Sequence, residues 1–99
     1  MPTPSEVFKK LAPELLKLVN DTKKFAFETE GALPKKYKYL IAMAIDAGNG
    51  AVHSVRGLAK SALAAGATKE EIAEALRIAC YIKSAAVLNT AGKGLEDLL

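Results

Sequence analysis

The chain has 99 residues, enough for one domain, residues 1–99, and no more. It is 51% hydrophobic with a mean hydropathy of +0.12, yet its longest apolar run, Tyr39 to Ile45, ends at Asp46. That falls well short of the roughly 20 residues a membrane helix requires, so no membrane span is expected. The net charge of +3 comes with eight of the twelve lysines in the first 38 residues, but only two arginines and no basic–aromatic interleaving. This pattern reads as a solvated helix face rather than a nucleic-acid surface.

Pro4-Ser5-Glu6 opens a helical stretch in which Val7, Phe8, Leu11, Leu15, Leu16, Leu18 and Val19 recur at helical spacing. Pro13 interrupts it. Either a short helix ends near Leu11 and a second starts with Pro13 in its first turn, or one helix kinks there. The second segment is predicted to reach Phe27, and Glu30 to Pro34 reads as a loop. A third helix is predicted from Pro34 to Ala47, with Leu40, Ile41, Ala44 and Ile45 on one face. Gly48-Asn49-Gly50 breaks it.

A fourth helix is predicted from Ala51 to Ala65, closed by Gly66, which can take the left-handed conformation. Thr68-Lys69-Glu70-Glu71 has capping-box spacing, in which hydroxyl and carboxylate each accept the other residue's backbone amide. The fifth helix then carries Ile72, Ala75, Leu76, Ala79 and Cys80 as a buried stripe. A sixth segment runs from Ser84 to Leu98, weakened near its end by Gly92 and Gly94. No stretch alternates with the period of a strand. The fold class is therefore all-α, a bundle of about six helices. Fifteen of the eighteen alanines follow Ile41, which suits close helix–helix approach in a core, an interface or both.

The first residues, Met-Pro-Thr-Pro-Ser-Glu, lack the basic-then-apolar order of a secretion signal, and one cysteine excludes an internal disulfide. A cytoplasmic location is expected. A domain this small buries only roughly 60–65% of the surface its unfolded chain exposes. Half the residues being apolar, self-association is the expected way to cover the remainder.

The segments Leu33-Pro34 to Tyr39-Leu40-Ile41, Asn49-Gly50, and Ala62-Leu63-Ala64-Ala65-Gly66-Ala67-Thr68-Lys69-Glu70-Glu71-Ile72 carry a resemblance over roughly residues 30 to 90. There the chain resembles the carboxymuconolactone decarboxylase and alkyl hydroperoxidase D family. The resemblance implies the alkyl hydroperoxidase D-like bundle. It also implies a homotrimer or hexamer centred on the hairpin of residues 35–65, extendable to a higher symmetric assembly. Members with peroxidase-type activity carry Cys-x-x-Cys-x-x-x-His at the start of the fourth helix and a glutamate twelve residues before the first cysteine. A thiolate at a helix N-terminus has a lowered pKa and attacks peroxide, the second thiol resolves the intermediate, and the glutamate and histidine move protons.

Aligned through Asn49-Gly50 and Gly66-Ala67-Thr68, the two cysteine positions fall on Ala51 and Ser54, the histidine on Leu58 and the glutamate on Tyr39. None of these can run the relay. His53, the single histidine, is the one candidate catalytic residue. Read structurally, it is a partly exposed residue near a helix start. Asp46 is placed to pair with it across the loop or to accept amides at the next helix start. Cys80, among Ile78, Ala79 and Tyr81, reads as a small buried hydrophobe. One histidine and one cysteine cannot fill a tetrahedral metal site, and Gly48-Asn49-Gly50 lacks the strand and lysine of a phosphate loop, so no cofactor or metal is expected.

Three functional readings follow. One is a catalytically inactive scaffold engineered for symmetric self-assembly, with reactive thiols removed and alanine crowding Ser61 to Ala67 and Ser84 to Ala91. Another is a natural, degenerate family member that binds a small apolar ligand. The third is a lactone decarboxylase-like enzyme that uses His53 as an acid–base group.

Overall fold

The computed structural model describes all residues, Met1–Leu99, and contains five helices and no strand. They are α1 (Pro4–Leu11), α2 (Pro13–Glu28), α3 (Lys35–Gly48), α4 (Val52–Ala64) and α5 (Lys69–Leu95). They divide into two compact units, Met1–Ala32 and Leu33–Leu99.

The first unit is a pair of helices. The Thr3 hydroxyl accepts the Glu6 amide at 3.2 Å while the Thr3 amide donates to the Glu6 carboxylate at 3.2 Å, so α1 starts with a capping box. At Pro13 the chain forms two helices rather than one kinked helix. Ala12 leaves the helical region (φ −154°, ψ 74°) and donates its amide back to the Phe8 carbonyl at 2.9 Å, and Pro13 occupies the first turn of α2, where an amide has no helical partner. An i,i+4 pair, Lys17–Asp21 at 2.8 Å, braces the middle of α2. Neither helix has a buried residue.

In the second unit α3 and α4 form a hairpin. The Asp46 carbonyl accepts amides from Asn49 and Ala51, and Gly50 turns the chain at φ +74°. After α4, Gly66 at φ +101° reverses the chain, and the Ala67 amide closes onto the Ala62 carbonyl at 2.9 Å. The predicted capping box then starts α5, with Thr68 and Glu71 exchanging bonds of 2.9 and 3.1 Å.

The core is small. Leu40 and Met43 of α3, Ala62 of α4 and Ala67 of the turn are buried, and Tyr39, Val55, Leu58, Ala59, Ile72, Ala75 and Leu76 pack around them. Met43 is fully covered, an unbranched side chain lying beside the small Ala62 and Ala67.

Two expectations are corrected here. The fifth and sixth predicted helices are one 27-residue helix, so the bundle has five helices rather than about six. No proline or left-handed glycine lies between Cys80 and Ser84, and the residues there are compatible with continuous helix. Gly92 is tolerated inside it, and Gly94 is near its end. Second, Cys80 is exposed, not buried. Ile72, Ala75, Leu76 and Ala79 follow the face turned to the core. Cys80 lies one residue further, rotated about 100° away from it.

Candidate functional site

The start of α4 is where the family resemblance places its chemistry. Ala51 is the residue at the helix N-cap, half-buried, and supplies no side-chain hydrogen bond. Ser54 is exposed as the third residue of α4, and Leu58 packs against the core cluster, as does Tyr39 from α3. A helix N-terminus lowers a thiol pKa by presenting unpaired amides to the thiolate. Here that position holds a methyl group. The four aligned side chains comprise two that support the core, one cap without a polar atom and one solvated hydroxyl.

His53 is exposed at the same helix start. Asp46 is half-buried and forms no ion pair with it; the hydrogen bonds at this turn are made by the Asp46 backbone carbonyl. The two residues that the sequence placed together as a possible pair are therefore not joined. The single thiol, Cys80, projects from α5. No group of three or more His, Cys, Asp or Glu side chains is close enough to hold a metal ion.

The notable concavity lies elsewhere. An open groove of about 650 Å³ runs between α3 and α5, floored by Ile41, Ala44, Ile45, Ala75 and Ile78 and edged by Glu71 and Glu74. A smaller continuation of about 350 Å³ reaches Gly48, Ile82 and Lys83. At Gly48 the absence of a side chain matters: a Cβ there would come within 2.7 Å of the Lys83 Cε. Lys83 therefore lies across the last turn of α3, where the helix dipole favours a cation.

One ion pair ties the groove's mouth. Lys36 Nζ lies 3.0 Å from Glu71 Oε2, with the Tyr37 ring 5.1 Å from the same ammonium. The hydrogen bond to Glu71 raises the Lys36 pKa above its ordinary value. The bond from Lys36, followed by that from the Thr68 amide, holds Glu71 below the usual carboxylate range. Glu71 thus serves two partners, one in its own capping box and one on α3. Sequence spacing identifies the first role. The second joins residues 35 apart in the chain, and no local signal carries it.

An α-helical hairpin followed by a capped, longer helix, with the helix start after the hairpin turn as the aligned chemical position, defines a small all-helical protein of the alkyl hydroperoxidase D-like type. The chain belongs to the carboxymuconolactone decarboxylase family, whose family model matches residues 13–96. The match bears out the resemblance and extends it to include α2. No curated protein and no solved structure matches the chain.

No helix is long and apolar enough to cross a membrane.

Proposed function

We propose that this chain is a catalytically inactive, homo-oligomeric scaffold of the carboxymuconolactone decarboxylase fold, a building block of a symmetric assembly rather than a redox enzyme. The observation that carries the reading is the mismatch between core and surface. Four hydrophobic residues are buried, while Leu15, Leu18, Phe25, Ile41, Ile45, Leu63, Ile78, Tyr81 and Leu88 remain exposed. Ile41, Ile45 and Ile78 line one groove, and contiguous apolar surface of this kind marks association sites. The inactive half of the reading is supported by Ala51, Ser54, Leu58 and Tyr39 at the relay positions and by the remoteness of Cys80 from them in sequence. Ala64 of α4 and Ala73, Ala86 and Ala91 of α5 are exposed and give smooth helix surfaces, which supports engineering for assembly.

A trimer or hexamer follows from the family resemblance. Light scattering decides the subunit number, and a monomeric mass with a melting temperature independent of protein concentration would refute the scaffold. A thiol-dependent peroxidase assay is expected to be blank.

The α3–α5 groove favours a second reading, a degenerate member that holds a small apolar ligand. Its test is saturable binding of an apolar fluorophore that Ile41→Glu abolishes. The His53 enzyme has less support, because nothing orients the imidazole. Turnover of a lactone that His53→Ala removes, with the fold intact, would restore it.

A further inference from the structure

α3 and α5 run side by side in the same direction, and two contacts fix their register. Lys36 pairs with Glu71 at one end and Lys83 lies against Gly48 at the other, each pair 35 residues apart in the chain. The groove between the two helices therefore has chemically different ends. Glu71 and Glu74 edge the end at the helix starts, and Lys83 and Asn49 edge the end at the last turn of α3. Between them the walls are apolar. Ala44, Ile45, Ala75 and Ile78 line both the main groove and its continuation, which makes the two one trough.

The charges at the two ends are not equally free. Glu71 is engaged by the Lys36 ammonium and the Thr68 amide, which leaves Glu74 as the one unpaired carboxylate there. A cationic head at that end would meet Glu74 but also the Lys36 ammonium, 3.0 Å from Glu71. At the other end the Ile45, Asp46 and Ala47 carbonyls already accept amides from Asn49, Gly50 and Ala51. Lys83 belongs to none of the chain's ion pairs. Its stem lies where a Cβ on Gly48 would stand, which keeps the ammonium at the groove's end, where Asn49 supplies a second donor. An anionic head is thus attracted at one end and repelled at the other, and a tail attached to it has one direction in which to lie.

The length of the trough sets the tail. From Tyr37 to Gly48 α3 rises about 16 Å. A straight hydrocarbon, with bonds of about 1.5 Å at near-tetrahedral angles, advances about 1.25 Å per carbon, so about 13 carbons span it. We propose that the α3–α5 groove binds a straight-chain monocarboxylate of about 12–14 carbons, with its carboxylate on Lys83 and Asn49 and its tail over Ile45 and Ile78 toward Tyr37. This rests on the ligand-holding reading of the groove and goes beyond it by naming the ligand's class and direction. Tail burial supplies affinity, and the charge-assisted hydrogen bond to Lys83 supplies selectivity for the head.

The test is calorimetric titration of the full chain with dodecanoate, dodecanol and dodecyltrimethylammonium, each below its micellar concentration. Dodecanoate is expected to bind about tenfold more tightly than either of the others. Lys83→Met keeps the stem and the helix and removes the charge, and it should bring dodecanoate down to the level of dodecanol while leaving dodecanol unchanged. Ile41→Glu should abolish binding of dodecanoate and dodecanol, with circular dichroism confirming the fold of both variants. Equal affinity for dodecanoate and dodecanol, preference for the cationic head, or a Lys83→Met chain that keeps wild-type affinity for dodecanoate overturns the assignment and leaves the ligand-holding reading standing. A wild-type chain that binds none of the three, as a groove covered by a second copy would, overturns both.

Discussion

Met43 offers the sharpest test of the packing. It is a fully buried residue of α3, in the core cluster with Leu40, Ala62 and Ala67. Truncation to alanine removes most of the side chain from the centre of a core with three other buried residues. Burying a methionine-sized side chain is worth about 1.5–3 kcal/mol by transfer alone, and the residual cavity adds to the loss, so Met43→Ala is expected to cost about 2–5 kcal/mol. For a chain of this length each 1 kcal/mol moves the melting temperature by about 4–8 °C. The midpoint should therefore fall by more than about 8 °C, read by circular dichroism at 222 nm and fixed protein concentration, since assembly and folding are linked. Ile41→Ala is the paired measurement. Ile41 is two residues away and 50% exposed within the chain. In an isolated copy its loss stays near 0.5 kcal/mol, whereas an Ile41 covered by a neighbour costs as much as a core residue. A Met43→Ala midpoint within about 4 °C of wild type would refute the α3–α4 packing described here.

Gly66 has φ +101°, a conformation that a Cβ disfavours although the space beside it is open, so Gly66→Ala is expected to cost about 1–2 kcal/mol; an unchanged midpoint would show that the α4–α5 turn relaxes freely. The lowered Glu71 pKa makes its contribution to stability present above the ordinary carboxylate value and lost as pH falls through the lowered one, whereas that of Lys36, with its raised pKa, is present below the ordinary lysine value and lost as pH rises through the raised one. Lys36→Met should flatten both limbs of the midpoint-versus-pH profile relative to wild type, and Glu71→Gln, which keeps an acceptor for the Thr68 amide, should flatten the acid limb with the cap retained; wild-type slopes in both variants would refute the pair. Cys80 is exposed on α5, so a maleimide should label one thiol per chain without denaturant. Protection of that thiol until unfolding would place it in an interface.

Most of the secondary structure is local information, and the chain carries it locally. Proline at the first position of α2, glycines at the turns after α3 and α4, and threonine three residues before Glu71 act over three to six residues, through one amide or one torsion each. The family was legible for the same reason, since its motif is the hairpin turn, helix stop and capping box themselves. That the chain holds a single cysteine, and so no pair of thiols, was legible in the same direct way.

Burial and pairing depend on which faces meet, and there the tertiary structure decided. Cys80 and Ala79 are both small and apolar and adjacent in sequence, but about 100° of helix rotation puts one toward the core and the other in solvent. Lys36 and Glu71 meet because α5 returns along α3, whereas Asp46 and His53 form no ion pair across the α3–α4 turn. The continuity of α5 likewise reflects the lack of a breaker before Ser84, where a separate sixth segment was expected. Sequence by itself determined that the chain is helical, where its helices begin and turn, and which reactive groups it lacks, because those properties are set within a few bonds of each residue. Only the tertiary structure decided which apolar faces remain uncovered, because solvent exposure is a property of the neighbours a side chain acquires when distant segments pack.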